Sequence, residues 1–157
     1  MEKTIRVAVG SDHAGYPLKE RVRQYLERKG FDVEDAGTNS TNSVDYPDFA
    51  EKVAGRVASG QVDFGVLMCG TGIGVALSAN KVPGVRAATC NETISARFAR
   101  SHNNANVLAM GGRLVDAATA DKILDTWFRT PFEGGRHERR VEKISSIEQR
   151  YHPEKKA

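Results

Sequence analysis

The chain has 157 residues, with 23 Lys or Arg against 20 Asp or Glu and a formal net charge of +3. A composition of 39% hydrophobic and 27% charged residues, with 15 Gly and 5 Pro, excludes a collagenous, mucin-like or broadly disordered chain. The length suits one domain with a real core, expected over residues 1–151 with a disordered tail at 152–157. Near-balanced charge lacks the clustered excess of nucleic-acid binders, and no apolar run approaches the roughly 18 residues of a membrane span. Met1-Glu2-Lys3-Thr4 runs directly into a strand-like segment, so no signal peptide is expected. Cys69 and Cys90 belong to no CxxC pair, which points to a soluble cytoplasmic protein with reduced thiols.

Val7-Ala8-Val9 reads as a first strand, closed by the turn-forming cluster Gly10-Ser11-Asp12-His13. Leu18, Val22, Tyr25 and Leu26 repeat at helical spacing, and Gly30 stops that helix. Phe31 to Val33 reads as a second strand, followed by a polar loop from Gly37 to Pro47 and a helix marked by Ala50, Val53, Ala54 and Val57. Phe64 to Met68 is the clearest buried strand, with a helix from about Ile73 to Asn80 behind it. Val85 to Thr89, then Glu92 to Arg100, then Val107 to Met110 continue the alternation as strand, helix and strand. Ala120, Ile123, Leu124, Trp127 and Phe128 form a strong helical stripe, and Val141, Ile144 and Ile147 share one face of a last helix. This alternation predicts an α/β fold, a parallel sheet with helices on both faces, and a ligand site beyond the carboxyl ends of the strands.

The most informative segment is Cys69-Gly70-Thr71-Gly72-Ile73-Gly74, directly after the buried strand and opening a helix. Its glycines let backbone pass close to a ligand, and free amides at a helix start suit an anion. It is neither a Walker loop nor a dinucleotide fingerprint. A thiol at that strand tip favours the thiolate, which can act as nucleophile or base; the alternative is a small buried filler, the reading preferred for Cys90. Asp12 and His13 sit on the same expected rim, where they can orient sugar hydroxyls and meet a phosphate, or serve only as a helix cap and a surface histidine. His102-Asn103 falls at the amino end of the last core strand, the wrong end within one subunit: either a neighbouring subunit or a long loop brings it to the rim, or His102 simply caps the carbonyls at the end of its helix. Arg136 and Arg140 share a helical face, with Arg113 on the rim side; together they could hold phosphate or form a solvated face. Tyr46 either stacks on a ligand or anchors its loop. The histidines at 13, 102, 137 and 152 show no metal-ligand spacing.

Taken together, Gly10-Ser11-Asp12-His13-Ala14-Gly15, Asp45-Tyr46-Pro47, the Cys69–Gly74 segment, Ala79-Asn80-Lys81, Ser101-His102-Asn103 and Glu133-Gly134-Gly135-Arg136-His137 resemble the type B ribose-5-phosphate isomerase family. That family also holds galactose-6-phosphate isomerase subunits and allose-6-phosphate isomerases. The resemblance runs in order over residues 4 to 150 and implies a Rossmann-like three-layer αβα sandwich with a five-stranded parallel sheet and a C-terminal helix. It implies a homodimer or dimer of dimers, a site shared between subunits, a sugar-phosphate substrate, and neither metal nor organic cofactor. Carried over by position, Cys69 is the base between C1 and C2. Thr71 and the amides of Gly70, Gly72, Ile73 and Gly74 hold the enediolate. His102 is the ring-opening acid with Asp12 opposite; His13, Arg113, Arg136 and Arg140 take the phosphate; Asn103 and Tyr46 contact the sugar. Some relatives use a carboxylate one helical turn further on, but the position near Ala76 offers none. The competing readings are the same chemistry on a six-carbon phosphate, a non-catalytic sugar-phosphate module, and a thiol redox protein.

Overall fold

Three apolar strands, β1 (Arg6–Ser11), β3 (Phe64–Cys69) and β5 (Val107–Gly111), lie side by side at the centre of a parallel sheet. β2 (Asp32–Asp35) and β4 (Ala87–Thr89) close its edges in the order β2-β1-β3-β5-β4. The structure is a computed structural model and describes residues 3–152. The expected tail therefore lies, His152 apart, outside the described residues.

Side-chain alternation sends the two faces of the central strands into separate cores. Val7, Val9, Val66, Met68, Leu108 and Met110 pack under α1 (Tyr16–Arg28), α4 (Thr93–Ser101) and α5 (Ala117–Arg129), with Trp127 fully buried. Ala8, Leu67, Cys69, Val107 and Ala109 pack under α2 (Tyr46–Ala58) and α3 (Ile73–Ala79). The result is the expected three-layer αβα sandwich, followed by α6 (Arg136–Tyr151). No helix among the described residues is long and apolar enough to cross a membrane.

Several boundaries differ from the sequence reading for identifiable reasons. The second strand is the polar segment Asp32–Asp35; Phe31 instead leaves the sheet to pack its ring 4.6 Å from Phe128. β4 is confined to Ala87–Thr89, so Val85 precedes it. α2 begins at Tyr46, inside the segment read as loop, because Pro47 in the first turn presets a helical φ. α5 starts at Ala117, capped by the Asp116 carboxylate, which accepts from the Thr119 amide at 2.8 Å.

The chain leaves β1 to one side for β2, then crosses back to β3. This reversal opens a crevice between the carboxyl ends of β1 and β3, where ligands bind in such sheets. Asp12 and Cys69 stand there.

Candidate active site

Cys69 ends β3 with its side chain on the α2–α3 face and is 5% exposed. The chain turns sharply behind it. Gly72 adopts φ +82°, and a Cβ there would meet the Met110 carbonyl carbon at 2.9 Å, so only glycine fits. The turn brings the Gly72 N–H to the Cys69 Sγ at 3.2 Å. The next amide, from Ile73, donates to Thr71 Oγ1 at 3.2 Å. Two of the amides expected to face a ligand are thus already engaged by neighbouring side chains, and the thiol lies within the nest itself. Cys90 is different: burial, reinforced by Glu92, pushes its thiol up to about 12, which suits a structural residue.

The other rim residues converge on this turn. The Asp12 amide donates to the Met68 carbonyl at 3.3 Å, and its Oδ1 accepts from the Gly15 amide at 3.0 Å. Among the described residues, Asp12 Oδ2 accepts no hydrogen bond. His13 Nδ1 accepts from the Val44 amide at 3.2 Å, so a neutral ring carries its hydrogen on Nε2. Arg113 donates its amide to the Gly70 carbonyl at 3.0 Å and lays its guanidinium over Gly70, where a Cβ would lie 3.2 Å from it. Tyr46 packs its ring against Gly74, closely enough that a Cβ there would stand 2.6 Å from the ring.

Asn91 was not singled out from sequence, yet it braces the site. Its amide nitrogen donates to the Thr71 carbonyl at 3.1 Å while its oxygen accepts from Gly111 at 2.8 Å. Thr89 adds a bond from its hydroxyl to the Gly72 carbonyl at 2.8 Å. An Asn and a Thr around a strand end are too common to signal this bracing in advance.

The remaining predicted residues gather at the opposite edge of the sheet. His102 caps the C-terminus of α4, before β5, and five residues of β5 separate that edge from the rim by roughly 16 Å. Asn103 follows it, and its carbonyl accepts from Arg86 at 3.2 Å. The Glu133 amide bonds to the Ser101 carbonyl at 3.0 Å, which places the start of α6 beside His102. His102 is sandwiched between Phe98, centroids 4.8 Å apart, and His137, stacked at 4.1 Å and 9°. Arg136 and Arg140 project into solvent from the first turns of α6, and among the described residues neither pairs with a carboxylate. Burial pulls buried His137 below its ordinary value, with His102, Arg136 and Arg140 acting the same way and Glu133 opposing.

The fold brings two of the four histidines together with one carboxylate, a grouping that their spacing in the sequence does not show. One donor atom from each of His102, Glu133 and His137 lies within 4.8 Å of the other two.

Residues 7–144 match the ribose/galactose isomerase family. The chain is 48% identical over 145 residues to ribose-5-phosphate isomerase B of Escherichia coli, covering 92% of this chain and 97% of that one. A ribose-5-phosphate isomerase B structure from Clostridium thermocellum superposes with a TM-score of 0.93 at 50% identity, covering 94% and 99% of the two chains. The Mycoplasma genitalium enzyme, with bound ribulose-5-phosphate, superposes at 0.90 with 43% identity, covering 94% and 99%. With a fold, a thiol-bearing turn and matches that span nearly its whole length, this chain belongs to the ribose/galactose isomerase family and is an isomerase.

Proposed function

We propose that this chain interconverts ribose 5-phosphate and ribulose 5-phosphate through a cis-enediolate, at a site completed by a second copy of the chain. The observation that carries the shared site is the division of the expected residues. Asp12, His13, Tyr46, Cys69, Thr71 and Arg113 stand on one rim, while His102, Asn103, Arg136 and Arg140 stand at the other edge. No single chain can apply both sets to one small sugar phosphate. Two copies placed edge to rim can, as a homodimer or a dimer of dimers.

In this arrangement His102 of the second copy donates a proton to the furanose ring oxygen as the C1–O bond to it breaks. Asp12 Oδ2 accepts the proton of the C1 hydroxyl, leaving an open-chain aldehyde. The Cys69 thiolate then removes the proton on C2, and negative charge builds on the C1 oxygen. Oriented donors around the nest, Thr71 Oγ1 and the amides of Gly70 to Gly74 not already engaged, meet that charge where it develops. Return of the proton from sulfur to C1, with the C2 hydroxyl proton passing to the C1 oxygen, yields the ketose. A single base reaching both carbons suffices. The phosphate carries nearly two negative charges; His13 and Arg113 approach it from one chain, Arg136 and Arg140 from the other. A thiol base needs a reducing compartment, so we place the enzyme in the cytoplasm.

A coupled assay on ribose 5-phosphate and allose 6-phosphate tests this reading, with turnover expected to be fastest on the pentose. Faster turnover of the hexose would keep the chemistry and replace the substrate, and binding without turnover of either would overturn it. The exposed arginines give a second check. Arg136→Ala or Arg140→Ala should raise KM about 10- to 100-fold, the worth of one hydrogen bond to a charged group, with an unchanged circular dichroism spectrum. An unmoved KM would leave them as solvated cations only.

A further inference from the structure

We infer that Lys19 is a positioning residue for the isomerase: through Asp35 it sets the first turn of the loop over 36–45, and with it the orientation in which His13 meets the phosphate. The functional half of this inference rests on the reading of His13 as a phosphate ligand; the structural half, that the pair holds the loop, does not.

Lys19 stands in the first turn of α1, whose other buried residues are Leu18, Val22 and Leu26. Its side chain is 0% exposed, so it cannot itself touch a sugar phosphate. A charge taken so far out of water is costly unless it is paired at close range. Here Nζ donates to Asp35 Oδ1 at 2.7 Å and to Oδ2 at 2.8 Å, with Glu20 Oε2 at 3.5 Å and the Tyr16 ring centroid at 5.3 Å. An apolar pair of similar volume would hold α1 against β2 as well or better, so stability alone gives no account of the lysine. An ion pair adds direction: one nitrogen fixes both oxygens of Asp35.

Asp35 ends β2, and its Oδ1 also accepts from the Gly37 amide at 2.9 Å. The Gly37 carbonyl in turn accepts from the Ser11 amide at 2.7 Å, and the Thr38 amide donates to the Ser11 carbonyl at 2.8 Å. Ser11 immediately precedes Asp12, so the carboxylate that Lys19 holds fixes the start of the loop against the end of β1. From there the chain runs largely exposed over 39–45. Among the described residues, its hydrogen bond back to the rim is the one from the Val44 amide to His13 Nδ1 at 3.2 Å. That bond leaves the ring hydrogen on Nε2, free to meet an anion. A loop released at Gly37 loses the register that brings Val44 to His13. The backbone gives a second tie, since the Lys19 amide donates to the Gly15 carbonyl at 2.8 Å and the Gly15 amide donates to Asp12 Oδ1.

The test uses the full chain carrying Lys19→Met, and Lys19→Met combined with Asp35→Asn, which strands no charge and so remains informative if the single variant folds poorly. In both, amide hydrogen exchange read by mass spectrometry should be about tenfold faster over residues 36–45 and unchanged over β3 and β5. KM for ribose 5-phosphate and the dissociation constant of inorganic phosphate should each rise about tenfold, the worth of one hydrogen bond to a charged group, with kcat within about threefold of the parent. Placed on His13→Ala, Lys19→Met should raise KM by less than about twofold, because the ligand it positions is already gone. Unchanged exchange over 36–45 in both variants would overturn the inference outright. A loosened loop with an unmoved phosphate constant, or the same rise in KM on His13→Ala as on the parent, would overturn the role toward His13. If the parent turns over neither ribose 5-phosphate nor allose 6-phosphate, the isomerase reading fails, while exchange and phosphate binding still uphold or overturn the role of Lys19.

Discussion

Cys69→Ala is expected to lower kcat by about 10²–10⁴-fold, the range over which a positioned base contributes, while melting temperature and affinity for inorganic phosphate stay near the parent values. The sulfur sits within the turn that would receive the enediolate, in contact with the Gly72 amide and buried to within 5% of full enclosure. Removing one sulfur atom leaves the glycine backbone, Asn91 and Thr89 to hold the turn, so the loss should fall on chemistry and spare the fold. The phosphate ligands lie on other residues, so binding should persist. Turnover within threefold of the parent would sink the assignment of the thiol as base and return Cys69 to the role of buried filler.

The second large effect is a recovery. Cys69→Ala and His102→Ala should each be nearly inactive, yet an equimolar mixture allowed to exchange subunits should regain about a quarter of parental activity. Random pairing makes about half the dimers mixed, and each mixed dimer holds one intact site and one doubly defective site. The figure follows from placing Cys69 and His102 at opposite ends of β3 and β5, on the order of 16 Å apart within one chain. Absence of recovery, with subunit exchange confirmed by mass spectrometry of differently tagged chains, would exclude a site built across the interface.

The elements with strong periodicity were legible from sequence, because burial and period coincide there: β3, β5 and the Trp127 stripe of α5 fall where the apolar pattern places them. Edge elements were harder. β2 is Asp-Val-Glu-Asp, polar as solvent-exposed edge strands are, and the apolar Phe31 beside it drew the strand the wrong way. The carboxyl rim was readable because each loop directly follows a strand. The grouping of His102 with Glu133 and His137 was not, since it depends on α5 carrying the chain back along the sheet and on the Glu133–Ser101 backbone bond that ends the return. Local spacing holds no trace of such a contact. The same limit hid Asn91, whose two bonds matter only because the turn after β3 meets the end of β5.

The glycines of the rim restrict how this protein can diversify. A Cβ on Gly15 would lie 2.4 Å from the Met68 carbonyl oxygen, one on Gly111 2.7 Å from the Thr71 carbonyl carbon, and one on Gly112 2.9 Å from the Ala14 carbonyl oxygen. Here backbone abuts backbone, and no rotamer change can make room. Mutational drift and laboratory selection alike are therefore shut out of the inner wall. A variant with altered sugar length preference should carry its changes in the 38–46 segment or at the amino edge around Asn103 and α6, and a saturation library would return wild-type glycine at 15, 111 and 112 whatever substrate is selected.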